Sequence, residues 1–137
     1  MGYIPEGAKW YIADIVQEFK IEGERENVVH IDTTLVRADS PDEAFERALA
    51  LGREGEDSYK NSSGRLVTVR FRGLKDLNVV DGELEHGTEL LFERKDGMSE
   101  LEMGDMVRKK DQLNVFRPVK SYIDDEKSPG PIPDTPE

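Results

Sequence analysis

The sequence has 137 residues, a length that predicts one domain. Acidic residues outnumber basic ones by 30 to 19, and the net charge of −11 argues against general binding to nucleic acids or anionic membranes. The sequence holds no cysteine, which excludes disulfides, thiolate nucleophiles and cysteine-ligated metal sites within it. The same charge permits a basic protein partner.

The start of the chain lacks the basic residues and apolar core of a signal peptide. No apolar run approaches the roughly 18 residues of a membrane helix. We therefore expect a cytoplasmic protein without a membrane segment.

Alternating apolar residues predict a strand from Lys9 to Glu22 and a second strand from Val28 to Ala38. The turn between them is short, so the two strands should form an antiparallel hairpin. Trp10, Ile12 and Val16 make the second face of the first strand apolar as well. That face therefore needs a cover, either a later helix or another copy of the chain.

An amphipathic helix is predicted next. Ser40 suits its N-cap, Pro41 its first position and Glu43 the third residue of a capping box. We expect Phe45 to pack against the sheet, because it lies within the apolar arc of the helix. The other members of this arc are Ala44, Ala48, Leu49 and Leu51.

The rest of the pattern predicts a loop from Glu54 to Arg65 and a strand from Val67 with a bulge or bend at Gly73. A strand from Thr88 to Lys95, a helix from Ser99 to Lys110 and a short strand from Leu113 to Phe116 should follow. The predicted fold is α+β, with an antiparallel sheet of four to five strands in the order ββαββ(αβ) and one main helix packed on it. We expect residues 1–8 to be a flexible lead-in, residues 9–116 a single α+β domain and residues 117–137 an acidic, proline-rich disordered tail.

Several short segments together carry a family resemblance that covers roughly residues 9–116. They include Lys9–Tyr11, Asp39–Ala44, Phe71–Leu74, His86–Leu90 and Leu113–Phe116. In these segments the chain resembles a bacterial family known as a domain of unknown function, DUF4288. The resemblance implies a small α+β domain, and it assigns no activity, cofactor or catalytic residue.

His30 and Asp32 stand two residues apart on one face of the second strand, where they could form an acid–base pair or two metal ligands. His86 or Glu89 would supply a third ligand. This arrangement defines one alternative function, a small hydrolase or metal-binding enzyme. Solvated polar residues are the favoured interpretation, so we predict no cofactor and no metal.

Arg70 and Arg72 form a basic stripe on the outside of the third strand, which defines a second alternative, an RNA-binding sheet. However, Phe71 alternates inward, so the strand offers no exposed aromatic ring for stacking. Ion pairs across the sheet are the favoured interpretation of the stripe, with Glu18 among the candidate partners.

No nucleophile arrangement, metal cluster or nucleotide-binding loop is evident. We therefore predict a non-enzymatic protein-interaction module with Trp10, Ile12, Val16, Arg70 and Arg72 as contact residues. It would form a homodimer or dock on a protein partner. A more specific hypothesis is an acidic inhibitor or immunity-type protein that caps a basic partner.

Overall fold

An antiparallel sheet of four strands organises the first two thirds of the chain. The strands are β1 (Trp10–Ile21), β2 (Val28–Arg37), β3 (Asp57–Lys60) and β4 (Leu66–Val80). Their order across the sheet is β2-β1-β4-β3, so β2 and β3 are the edges. Helix α1 (Pro41–Glu54) follows β2, and these elements together make the chain an α+β protein.

The computed structural model describes residues 4–117, which divide into two compact units, 4–91 and 92–117. The predicted lead-in at residues 1–8 lies partly outside the described residues. The predicted tail at residues 117–137 lies outside them from residue 118 onward. The predicted extent of a single domain, residues 9–116, stays a prediction.

The β1–β2 hairpin is regular along its whole length. Its register runs without a shift from Trp10 opposite Arg37 to Phe19 opposite Val28. By contrast, β4 shifts register twice against β1, and one shift lies where Gly73 pairs with Val16. Gly73 has a φ of 129°, a conformation that glycine adopts more readily than other residues, and the register shift beside it agrees with the bulge among the two predicted alternatives.

Helix α1 begins where the sequence predicts. The Ser40 hydroxyl accepts a hydrogen bond from the Glu43 amide at 3.1 Å, and Glu43 Oε1 accepts one from the Asp39 amide at 2.6 Å. Pro41 occupies the first turn. The helix ends at Glu54, and its cap residue Gly55 has right-handed rather than left-handed backbone angles.

Small residues, not Phe45, bring α1 onto the sheet. Ala44, Ala48 and Gly52 are buried at intervals of four, whereas Phe45 is 45% exposed. The expectation that Phe45 fills the core is therefore wrong. A Cβ atom at Gly52 would overlap the ring of Phe71, so the glycine allows the helix to approach β4 closely.

Two predicted elements between residues 54 and 95 are also wrong. The expected loop contains β3, which pairs with the start of β4 around a turn closed by Asn61 and Gly64. The expected strand from Thr88 to Lys95 is absent, and residues 81–99 form no helix or strand. Instead, the Thr88 hydroxyl bonds to the Glu83 carbonyl oxygen at 2.6 Å, which holds a local turn.

The unit of residues 92–117 contains a short helix, α2 (Glu100–Met106), which starts next to the predicted first residue, Ser99, and has a capping box of Ser99 and Glu102. It ends before the predicted Lys110. The predicted last strand is replaced by two 3-10 turns, Lys110–Gln112 and Asn114–Phe116. Each is a single turn with local hydrogen bonds, such as that from the Phe116 amide to the Leu113 carbonyl.

Gly52→Ala tests the close approach of α1. In an exposed helix, this substitution would stabilise the protein by about 1 kcal/mol. Here we expect a loss of about 1–3 kcal/mol in the free energy of unfolding, because the added methyl group meets Phe71. Urea denaturation measures the change. In a Phe71→Ala background the loss should disappear; an unchanged loss there would contradict this packing.

Candidate functional site

The side chains of β1 and β2 divide between two faces of the sheet. Tyr11, Ala13 and Ile15 of β1 belong to the buried cluster that also contains Ala44 and Ala48 of α1. Because side chains alternate along a strand, the even-numbered residues of β1 and their odd-numbered partners on β2 lie on the opposite side. This side, opposite α1, is called the outer face below.

The outer face carries an apolar patch centred on the edge strand. Val29, Ile31 and Leu35 of β2 are 50%, 49% and 46% exposed, and Ile31 lies opposite the half-buried Val16 of β1. These four residues are called the outer patch. Scattered exposed apolar residues are ordinary, but several on the same face of one edge strand can form part of a contact surface.

The sequence-predicted contact residues of β1 lie beside this patch rather than at its centre. Ile12 is only 3% exposed and faces Leu35 across the strands. Trp10 is half-buried, and the Arg37 guanidinium lies 5.6 Å from the centre of its ring. Most of the exposed apolar surface therefore comes from β2, with Val16 as the contribution of β1.

Polar groups interrupt the patch at its centre. The Thr33 hydroxyl donates to Asp14 Oδ1 at 2.9 Å, and Asp14 lies directly opposite Asp76 of β4. Asp76 in turn accepts a hydrogen bond from Asn78 at 3.2 Å. This polar row separates the environment of Leu35 from that of Ile31.

An ion pair forms the polar end of the outer face. The Glu18 carboxylate accepts a hydrogen bond from Asn27 at 2.7 Å and lies 3.8 Å from Arg72 Nε. The pKa of Glu18 lies below its ordinary value, and the largest cause is the hydrogen bond from Asn27. Nearby positive charges lower it further, namely those of Lys20, Arg72 and Arg70. The basic stripe thus interacts with Glu18 on the sheet itself.

The histidine candidates do not assemble into a metal site. His30 and Asp32 lie on the side of β2 that faces α1, opposite Gln17 and Ile15, and the ring of His30 contacts Phe19 with 4.7 Å between centroids. His86 lies in the exposed segment after β4. Among residues 4–117, no three histidine or carboxylate side chains come close enough to hold a metal ion.

The comparisons with known proteins identify a family. A family model described as a domain of unknown function, DUF4288, matches residues 10–92, more than half of the chain. The chain belongs to the DUF4288 family. The DUF4288 region covers all four strands and α1. The searches of curated proteins and of solved structures gave no match. Within the described part of the chain, no helix has the length and apolar character to cross a membrane.

Sequence reasoning missed the contribution of β2 to the exposed apolar surface. The alternation places Val29, Ile31 and Leu35 on one face, but the prediction took its apolar contact residues from β1 and its basic ones, Arg70 and Arg72, from β4, and it named none from β2. The hairpin register contained the missing signal, because it sets these three residues opposite even-numbered residues of β1, on the face that α1 does not cover. A second missed residue is the buried Gln17, which donates to the Gly52 carbonyl at 3.1 Å.

Glu18→Gln tests the polar end of the outer face. The folded-state pKa of Glu18 is lowered, so its interactions stabilise the fold above the ordinary pKa of 4.5 and are lost as pH falls through the lowered value. We expect the variant to be less stable than the parent at pH 7 and the difference to vanish in acid. Urea denaturation across pH measures it. Glu26→Gln, in the turn between β1 and β2, is the control and should show a smaller difference; an equal one would contradict the role of Glu18.

Proposed function

We propose that this DUF4288 chain is a non-enzymatic protein-interaction module that self-associates through the outer patch. The observation that carries the proposal is the row of half-exposed Val29, Ile31 and Leu35 on an edge strand. A symmetric dimer can cover such a row, because the same surface of each copy contacts that of the other about a two-fold axis.

The energetics favour a dimer of modest affinity. Fully burying an aliphatic side chain contributes about 1.5–3 kcal/mol, and these residues are already half-buried. The six side chains of two copies then contribute several kcal/mol, which is comparable to the cost of association. The net charge of −11 opposes the contact, so added salt should strengthen it.

A basic protein is the second kind of partner that we propose, because the same negative charge would attract it. In that case the chain would act as an acidic inhibitor or immunity-type protein in the cytoplasm. The apolar outer patch would then contact the partner, and the surrounding carboxylates would select for its charge.

The two other candidate functions have weaker support. A hydrolase or metal-binding enzyme would need His30, Asp32 and His86 to act together, and His30 lies against Phe19 on the α1 side of the sheet. An RNA-binding sheet would need Arg70 and Arg72 to meet phosphates, but both lie close to the carboxylate of Glu18.

Light scattering between about 1 and 100 μM tests self-association. We expect the mass to rise towards that of a dimer, and to do so at lower concentration in high salt. Ile31→Thr keeps a β-branched side chain but removes apolar surface from both copies, so it should weaken the dimer about tenfold.

Leu51→Ser, at an exposed apolar position on α1, is the matched control and should leave the dimer unchanged. A monomeric mass of the parent at the highest concentration in both low and high salt would overturn the proposed self-association.

A further inference from the structure

We propose that β2 pairs with β2 of a second copy, antiparallel and about a two-fold axis at Ile31, so that one sheet continues through the dimer. This inference rests on the proposed self-association and specifies its geometry. The outer edge of β2 would bind a second copy of the same chain.

The hydrogen bonds of the hairpin show which backbone groups point outward from β2. The Ala38 amide donates to the Lys9 carbonyl at 2.9 Å, which continues the register of Trp10 opposite Arg37. Hydrogen-bonded and non-hydrogen-bonded pairs alternate in an antiparallel ladder. The even-numbered residues of β2 therefore bond to β1, and the odd-numbered residues direct their N–H and C=O groups to the free edge.

A side-chain contact supports this assignment independently. The Arg47 guanidinium of α1 donates to the Arg37 carbonyl at 2.8 Å. Arg37 is an odd-numbered residue at the end of β2, and a side chain from outside the sheet reaches its carbonyl. The last outward carbonyl of the edge is thus already occupied.

Three of the four residues of the outer patch are odd-numbered residues of β2. Val29, Ile31 and Leu35 present apolar side chains on the outer face and polar backbone groups at the edge. Edge strands are usually protected from pairing by charged side chains, especially lysine, or by proline, bulges or short length. The charged side chains of β2 are Asp32 and Arg37. β2 has ten residues, contains neither lysine nor proline, and pairs with β1 without a register shift, whereas the opposite edge, β3, has four residues.

Charge and an occupied carbonyl argue against the two symmetric registers next to the proposed one. An axis at Asp32 would set two carboxylates directly opposite each other, which is unfavourable. An axis at Thr33 would require a ladder bond from Arg37, whose carbonyl already accepts from Arg47. An axis at Ile31 pairs the two isoleucines, and it places His30 opposite Asp32 of the second copy. This register sets no two like charges directly opposite each other.

The size of this contact agrees with weak association. Pairing of residues 28–34 forms a contact about 24 Å long, at about 3.4 Å per residue. Three outward pairs would exchange about six main-chain hydrogen bonds. The paired segment includes Val29 and Ile31 but not Leu35, so a contact of this length belongs with the small interfaces, below about 1,200 Å², that are typical of transient complexes.

Single cysteines test the register, because the chain has none of its own. On the axis, the two copies of residue 31 would have Cα atoms about 5.5 Å apart, within the range of a disulfide. Ile31→Cys, incubated at about 100 μM with oxidised glutathione, should give a predominantly disulfide-linked dimer on a non-reducing gel. Thr33→Cys should stay mainly uncrosslinked, because its copy lies about 13 Å away along the strand.

Ser58→Cys, on the β3 edge, is the matched control and should also remain uncrosslinked. Circular dichroism should show that all three variants keep the parent's fold. If light scattering shows a dimer of the parent but Ile31→Cys does not crosslink, or Thr33→Cys crosslinks instead, the proposed pairing is overturned and self-association stands. A monomeric parent overturns both.

Discussion

Strand β1 imposes the constraint on which the rest of the structure depends, because it buries apolar side chains on both faces. Tyr11, Ala13 and Ile15 are covered by α1, and Ile12 is equally buried on the outer face. A sheet with one packed helix gains its core on one side only. The apolar residues on the outer side can then be buried only by packing within the sheet or by contact with another surface.

The β1–β2 hairpin extends the apolar outer face from β1 to β2. Its uninterrupted register sets Val29, Ile31 and Leu35 beside the outer residues of β1, but β2 is an edge strand and leaves these side chains half-exposed. Because backbone and side-chain directions alternate together, the outward amides belong to the same residues. One strand therefore offers both hydrogen-bonding groups and apolar surface, which is the combination that strand-to-strand association uses.

The sequence predicts those elements whose signals are local. The N-cap Ser40, the capping box at Ser99 and the β1–β2 hairpin all follow from short patterns, and the structure has each of them. The elements that the sequence did not predict depend on tertiary packing. Phe45 has the hydrophobicity of a core residue, yet the close approach at Gly52 buries the small residues of α1 instead. β3 is a polar segment that becomes a strand because the turn at Asn61 folds it back onto β4.

The site was predictable only in part for the same reason. The alternation of apolar residues identified the second apolar face of β1. However, Ile12 is buried within the sheet, and the exposed apolar side chains on that face belong mainly to β2, whose register with β1 the alternation does not give. The spacing of His30 and Asp32 correctly placed both on one face, but that face lies towards α1. Spacing along one strand does not show which tertiary neighbours a residue will have.

Residue-resolved amide hydrogen exchange at low and high protein concentration tests the pairing of β2 with a second copy most directly, because it measures the protection of each amide of β2 without any substitution. The account predicts that the inward amides of His30, Asp32 and Thr34 are protected at both concentrations. The outward amides of Val29, Ile31 and Thr33 should exchange rapidly in dilute solution and become protected when the protein is concentrated. Rapid exchange of these three amides in a sample that light scattering shows to be dimeric would contradict it.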